Sequence, residues 1–252
     1  MDWTDDGIVL AARRHGESSA VVQVLTRKHG RHAGLARGGR GTRGRGVYQP
    51  GNLLSLQWRA RLAEHLGSYS AELNKGYAAM LIDDPLRLAG LSSACAMAEA
   101  SLPERHPYPA LYDAFLILLE AIVTSPDWTA VYGRWELGLL DELGFGLDLS
   151  RCASSGATED LIYVSPKSGR AVSRQAGEPY RDKLLALPPF LMGGEAGGGQ
   201  DVLDALKLTG RFLDCHVFAP HDRKLPAARG RFIDRLTRST PISGGIKGND
   251  GD

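Results

Sequence analysis

The sequence predicts a mixed β and α fold: a small five-stranded barrel over residues 1–80, then a mainly α-helical domain over 81–240. Three observations carry this prediction. Short apolar or alternating stretches, separated by Gly, Arg and Pro, occupy the first part of the chain. After Asp83-Asp84-Pro85 the apolar spacing changes to the helical period. The charge changes with it, since residues 1–80 carry 12 basic and 6 acidic side chains while 81–252 carry 18 and 23.

Residues 8–10, 20–26, 32–36, 53–58 and 66–73 read as the five strands. Gly7, Gly16, Gly30, Gly51 and Gly67 fall between or at the edges of these runs, where the chain must turn. Five short strands in so few residues favour a closed sheet, and the OB-fold is the five-stranded barrel most used on single-stranded nucleic acid. Helices follow over 85–101, 109–124 and 130–143, the first two opening on Pro85 and Pro109. Proline suits the first helical turn because its missing N–H has no partner there. Leu111, Phe115, Leu118, Leu119 and Ile122 line one face of the second helix and belong to a core. A Gly/Pro/Ser-rich region over 149–189 contains short strand signals at 161–164, and Gly193 to Gly199 reads as a flexible loop. Helices over 202–218 and 227–237 complete the domain. Residues 241–252 hold too little apolar content to pack and are expected to be a disordered tail.

Between Arg27 and Arg61 lie nine basic residues, Arg27, Lys28, Arg31, Arg37, Arg40, Arg43, Arg45, Arg59 and Arg61, without one Asp or Glu. Clustered arginine among glycines supplies forked donors to phosphate oxygens, and a cationic face of this size attracts nucleic acid. A merely solubilising surface would scatter its charges. The chain has 43% hydrophobic and 23% charged residues, and no apolar run approaches the ~20 residues of a membrane span. The acidic start Met1-Asp2-Trp3-Thr4-Asp5-Asp6 is the wrong charge for a secretory signal, so the cytoplasm is the expected compartment. Cys95, Cys152 and Cys215, odd in number and in no CxxC, suit reducing surroundings.

Gly39-Arg40-Gly41-Thr42-Arg43-Gly44 matches the dinucleotide fingerprint literally, but its context refuses that function. No helical pattern follows, and Pro50 comes too soon for a βαβ crossover. A mobile Gly/Arg loop between two barrel strands is the better reading. Trp3, Tyr48, Trp58 and Tyr69 could stack bases, but aromatics at strand spacing in a small barrel are more often core. Binding is therefore expected to rest on backbone electrostatics. Cys152 with Cys215, His216 and His221 invites a zinc site, yet the Cys152-Ala153-Ser154-Ser155 segment has serine where a second cysteine would stand. No metal and no cofactor are expected. A nucleophile elbow, HExxH, P-loop or acid pair beside histidine is not found, so an enzyme is not expected.

Several motifs together resemble the N-terminal half of the bacterial recombination mediator RecO family. They are Gly7-Ile8-Val9-Leu10, Arg14-His15-Gly16-Glu17, Thr26 with His29-Gly30-Arg31, Ala36-Arg37-Gly38 with Arg40, and Gln49-Pro50-Gly51-Asn52-Leu53. The run Leu161-Ile162-Tyr163-Val164-Ser165-Pro166-Lys167-Ser168-Gly169-Arg170-Ala171-Val172, after Arg151-Cys152, is similar to that family's zinc-finger-like region. The resemblance implies an OB-fold followed by a helical domain with a degenerate zinc-finger-like insert. It further implies a protein that binds single- and double-stranded DNA, anneals strands coated with single-strand binding protein, and works with RecR to help load RecA at the nucleoid. Some members hold zinc on four cysteines, of which this chain retains Cys152. The family also docks the acidic, apolar C-terminal tail of single-strand binding protein on the helical domain, for which Arg87, Arg105 and Lys207 are candidate rim residues. Two rival readings are an RNA-binding OB protein, separated by DNA–RNA competition, and an enzyme whose basic patch captures a phosphorylated small molecule, separated by indifference to strand length.

Overall fold

The computed structural model describes residues 1–39, 41–195 and 198–240, with only the backbone described at Thr42 and Arg43. The expected tail, 241–252, lies outside the described residues. The strands β1 (Asp2–His15), β2 (Ser19–Thr26), β3 (Gly30–Ala36), β4 (Leu53–Arg59) and β5 (Ser68–Lys75) close into a barrel in the order β1-β2-β3-β5-β4. Every neighbouring pair is antiparallel except β3 and β5, which meet in parallel through Leu35↔Ser68 and Ala36↔Tyr69. This is the OB arrangement that the apolar stretches predict.

Strand β1 is much longer than the apolar run at 8–10. Its first half pairs with β4 from Asp2↔Arg59 to Ile8↔Leu53, and its second half pairs with β2, with a register shift between Val9 and Ala11. The acidic start lacks a strand signature of its own, and the pairing to β4 supplies one. Asp6 Oδ1 accepts bonds from Ser55 Oγ at 2.7 Å and Asn74 Nδ2 at 3.2 Å on the solvent face. Between β3 and β4 the expected loop contains a short helix, α1 (Thr42–Val47), in spite of its glycines. Packing overrides propensity here: a Cβ on Gly44 would come within 2.4 Å of the Gly38 carbonyl oxygen. The far end of α1 is held by Asn52 Nδ2, which donates to the carbonyls of Gly46 and Val47 at 2.9 and 3.0 Å.

The second part is built from α2 (Tyr77–Met80), α3 (Pro85–Ser101), α4 (Pro109–Thr124), α5 (Trp128–Glu142), α6 (Arg174–Gly177), α7 (Gly199–Leu213) and α8 (Ala227–Ser239). Asp84 caps α3, its Oδ1 accepting from the amides of Leu86 and Arg87 at 3.1 and 3.0 Å, one residue before Pro85. Leu111, Phe115, Leu118, Leu119 and Ile122 form the buried stripe of α4 that their spacing predicts. Between α5 and α7 a small sheet of β6 (Leu161–Val164), β7 (Ala171–Ser173) and β8 (Leu185–Ala186) runs in the order β7-β6-β8. Beyond Leu213 the backbone of α7 widens into a π turn, Asp214–Phe218. Among the described residues no helix is long and apolar enough to cross a membrane.

Two apolar cores result. The barrel interior holds Val9, Val22, Val24, Leu54, Leu56, Trp58 and Tyr69. The larger core joins α3, α4, α5, α7 and α8, and also takes Ile8, Leu10 and Leu25 from the barrel. Because side chains alternate along a strand, β1 feeds one core with Val9 and the other with Ile8 and Leu10. The barrel is therefore fused to the helices by shared burial.

Candidate nucleic-acid interface

The strand pairing divides the basic cluster in two. Ala36 pairs with Ala20, Ala20 follows the β1–β2 hairpin, and Arg14 pairs with Ala20 on its other side. A Cβ on Gly39 would lie 3.2 Å from that of Ala20. Arg14, Arg37 and Arg45 thus share one end of the barrel, all exposed. Arg59 joins them from the side, since it pairs with Ser68, which lies beside Leu35; Arg61 follows in the loop 60–67. Among the described residues none of these five forms an ion pair. Arg40 and the side chain of Arg43 lie outside the described residues.

Of the remaining basic residues, Arg27 and Arg31 sit where the barrel meets the helical part. Arg27 in the β2–β3 turn makes a two-pronged bond to Asp113 of α4, at distances of 3.0 to 3.3 Å. That bond raises Arg27 above its ordinary pKa and lowers Asp113 below the usual carboxylate range. Arg31 donates through Nε to the carbonyl of Leu102 at 2.8 Å and through Nη1 to Glu104 at 3.3 Å. Lys28 remains exposed beside Asp5, whose Oδ2 accepts its backbone amide at 3.0 Å. Arg27 and Arg31 are neutralised in the seam, so their contribution to a phosphate-attracting field is reduced.

The candidate rim residues for a partner peptide have separate locations. Arg87 staples α3 to the end of α4, donating to the carbonyls of Ile122 and Ser125, pairing with Asp84 at 3.1 Å and lying over the Trp128 ring. Arg105 holds the loop 60–67 on the barrel side, donating to the carbonyls of Ala63, Glu64 and His65. Lys207 is exposed on α7. The helical surface instead offers a groove of about 220 Å³ between α3 and α8, with Pro85, Leu88 and Ala89 opposite Ala228 and with Arg231 and Arg235 at its rim. The sequence signal for Arg231 and Arg235 is the i, i+4 spacing of arginine on the last helix.

The zinc-like region does not fit a zinc ion. Cys152 is buried, and its Sγ accepts from the Ser173 amide and hydroxyl at 3.3 and 3.5 Å and from the Ser155 amide at 3.5 Å. Burial alone would raise this thiol, but these serine donors outweigh it and bring the pKa down to about 6. Ser155 and Ser173 thus surround the sulfur with donors where a metal would require further ligands. Cys215 lies apart, in the π turn after α7. Among the described residues no group of three or more His, Cys, Asp or Glu could hold a metal ion.

A family model described as recombination protein O N terminal matches residues 1–77, and one described as recombination protein O C terminal matches 82–225. The chain is 56% identical over 246 residues to the DNA repair protein RecO of Rhodospirillum centenum, covering 97% of this chain and 98% of that protein. It is 53% identical over 245 residues to the protein of the same name from Rhodospirillum rubrum, covering 94% and 97%. With the RecO of Phenylobacterium zucineum it shares 52% over 242 residues, covering 95% and 99%. Matches spanning both the barrel and the helical part place the chain in the RecO family of DNA repair proteins, recombination protein O.

Proposed function

We propose that this protein binds single- and double-stranded DNA through its barrel without reading base sequence, and that it anneals complementary strands. In the same reading it works in the cytoplasm, at the nucleoid, with RecR to help load RecA onto strands coated with single-strand binding protein. The observation that carries this is the barrel end on which Arg14, Arg37 and Arg45 stand exposed without ion-pair partners among the described residues. Annealing two polyanions requires their repulsion to be screened, and unpaired guanidinium groups can do so on either backbone. The chemistry involves no covalent step and no cofactor.

The α3–α8 groove supports a division of labour. Its apolar walls and the Arg231–Arg235 rim complement an acidic, apolar peptide, the chemistry of the single-strand binding protein tail. The test is a strand-annealing assay with complementary oligonucleotides, bare and precoated with single-strand binding protein. The wild type should accelerate both. A variant with Arg231→Glu and Arg235→Glu should lose the precoated reaction and keep the bare one. Failure of the wild type to accelerate bare annealing would refute the reading, and a preference for RNA in competition would move it to RNA.

A further inference from the structure

The mouth of the barrel beside loop 60–67 carries an aromatic stack that continues out of the core. Trp58, Trp3 and His29 lie nearly parallel, with Trp3–Trp58 centroids 5.7 Å apart at 19° and Trp3–His29 centroids 4.1 Å apart at 15°. His32 meets Trp3 and Trp58 edge-on at 5.1 and 5.0 Å, and its Nδ1 lies 3.0 Å from the Tyr69 hydroxyl. Trp58, His32 and Tyr69 are buried and plug the barrel, whereas Trp3 and His29 are half-buried. The rings open onto a cleft of about 550 Å³ with Lys28, Arg105 and the acidic Asp2 at its rim.

The far wall of this cleft is held in place. Arg105 Nη1 donates to the Ala63 carbonyl at 2.7 Å, and Nη2 donates to those of Glu64 and His65 at 3.1 and 3.0 Å. The Arg105 backbone has φ +60°, disfavoured for a residue with a Cβ, and its amide donates to the Arg31 carbonyl at 2.8 Å. These bonds together impose the strained conformation and fix loop 60–67 opposite the rings. Burial holds His29 below its ordinary pKa and His32 at about 4, so at neutral pH the aromatic wall is uncharged and the cation comes from the rim.

A preformed cleft at a barrel mouth, with flat rings on one side and cations at the edge, suits a planar heterocycle joined to an anion. We propose that this cleft takes one unpaired nucleobase of a single DNA strand, stacked on the outer face of the His29 ring where it caps Trp3, with the adjoining phosphate reached by Lys28. The proposal rests on the reading of the barrel as a DNA-binding element and adds a contact that tells single strands from duplex, whose bases are already stacked inside the helix. Stacking of this kind tolerates any sequence because every base has a π face.

The test uses the full-length protein and two labelled oligonucleotides of equal length and phosphate count, one oligo-dT and one abasic through its central segment. The wild type should bind the oligo-dT about tenfold more tightly, with quenching of tryptophan emission, in line with base–aromatic stacking. His29→Ala should bring oligo-dT down to the affinity of the abasic strand while the slope of log K against log salt is unchanged. Trp3→Phe, which keeps a ring, should retain the preference and lose most of the quenching. Equal affinity of the wild type for both strands, or a preference that survives His29→Ala, would overturn the cleft and leave the charged barrel end standing. Binding of neither strand would overturn the DNA-binding reading itself, and the cleft with it.

Discussion

The free end of the barrel and the centre of the helical part use the same residue type to opposite ends. Arg37 and Arg45 stand in solvent without ion-pair partners among the described residues. Arg229 has a side chain only 5% exposed and donates to both oxygens of Glu136, at 2.7 and 2.8 Å. Its Nη2 also donates to the Leu206 carbonyl at 2.6 Å, while Thr209 and Tyr132 donate their hydroxyls to the carboxylate. Gly210 makes room for this group, since a Cβ there would come within 2.7 Å of Arg229 Nη1. A charge removed from water needs a bonded counter-charge, whereas a charge left in solvent needs none. Clustering in sequence alone does not separate Arg37, unpaired among the described residues, from Arg27 and Arg31, which are ion-paired.

Breaking the buried pair should have the largest effect. Glu136→Leu leaves Arg229 uncompensated among α5, α7 and α8 and should cost about 3–5 kcal/mol in urea unfolding, whereas Arg37→Ala should change stability by less than about 0.5 kcal/mol. Equal destabilisation at the two sites would erase the contrast. On the binding side, Arg37, Arg40, Arg43 and Arg45 replaced together by Ala should weaken single-strand binding for all sequences alike. The slope of log K against log salt should flatten by about 0.7 for each phosphate no longer neutralised. An unchanged slope would remove this end of the barrel from the interface.

The barrel mouth should also set a pH dependence. Burial lowers the folded-state pKa of His32 to about 4 from an ordinary value near 6.5, so below 6.5 the unfolded chain binds a proton that the folded chain does not. Stability should fall as pH drops from about 6.5 to about 4, by up to about 3 kcal/mol, and His29 contributes in the same direction. Asp113 and Glu120, held low chiefly by bonds from Arg27 and Lys75 respectively, contribute stability that is lost only at the acid end of this range and below it. Urea midpoints at pH 7, 5.5 and 4.5 should show a shallower trend in His32→Gln than in the wild type. An identical trend would assign the dependence to other groups. The smallest effect should come from Arg27→Ala: a salt slope altered less than in Arg37→Ala, because Asp113 already neutralises that guanidinium. A larger change at Arg27 would reverse the ranking of seam and free end.

What the amino-acid sequence determined by itself was whatever neighbouring residues encode. The inward alternation of Val22 and Val24, the stripe from Leu111 to Ile122 and the starts at Pro85 and Pro109 depend on residues two to four apart, and all are legible in one reading of the chain. The family motifs and the excess of basic residues in 1–80 are equally local. Tertiary structure decided the rest. The acidic half of β1 is a strand because β4 pairs with it, and α1 forms in a glycine-rich segment because Gly44 packs on Gly38 and Asn52 holds the helix end. By its spacing Trp3 reads as core or as a single-base platform, and only the turn that brings His29 onto it creates a half-open stack. Which arginines are neutralised depends on partners 86 residues away for Arg27, 73 for Arg31 and 93 for Arg229. Electrostatic neutralisation depends on distance in space, and no local pattern records which distant carboxylate the fold will bring within about 3 Å of a guanidinium.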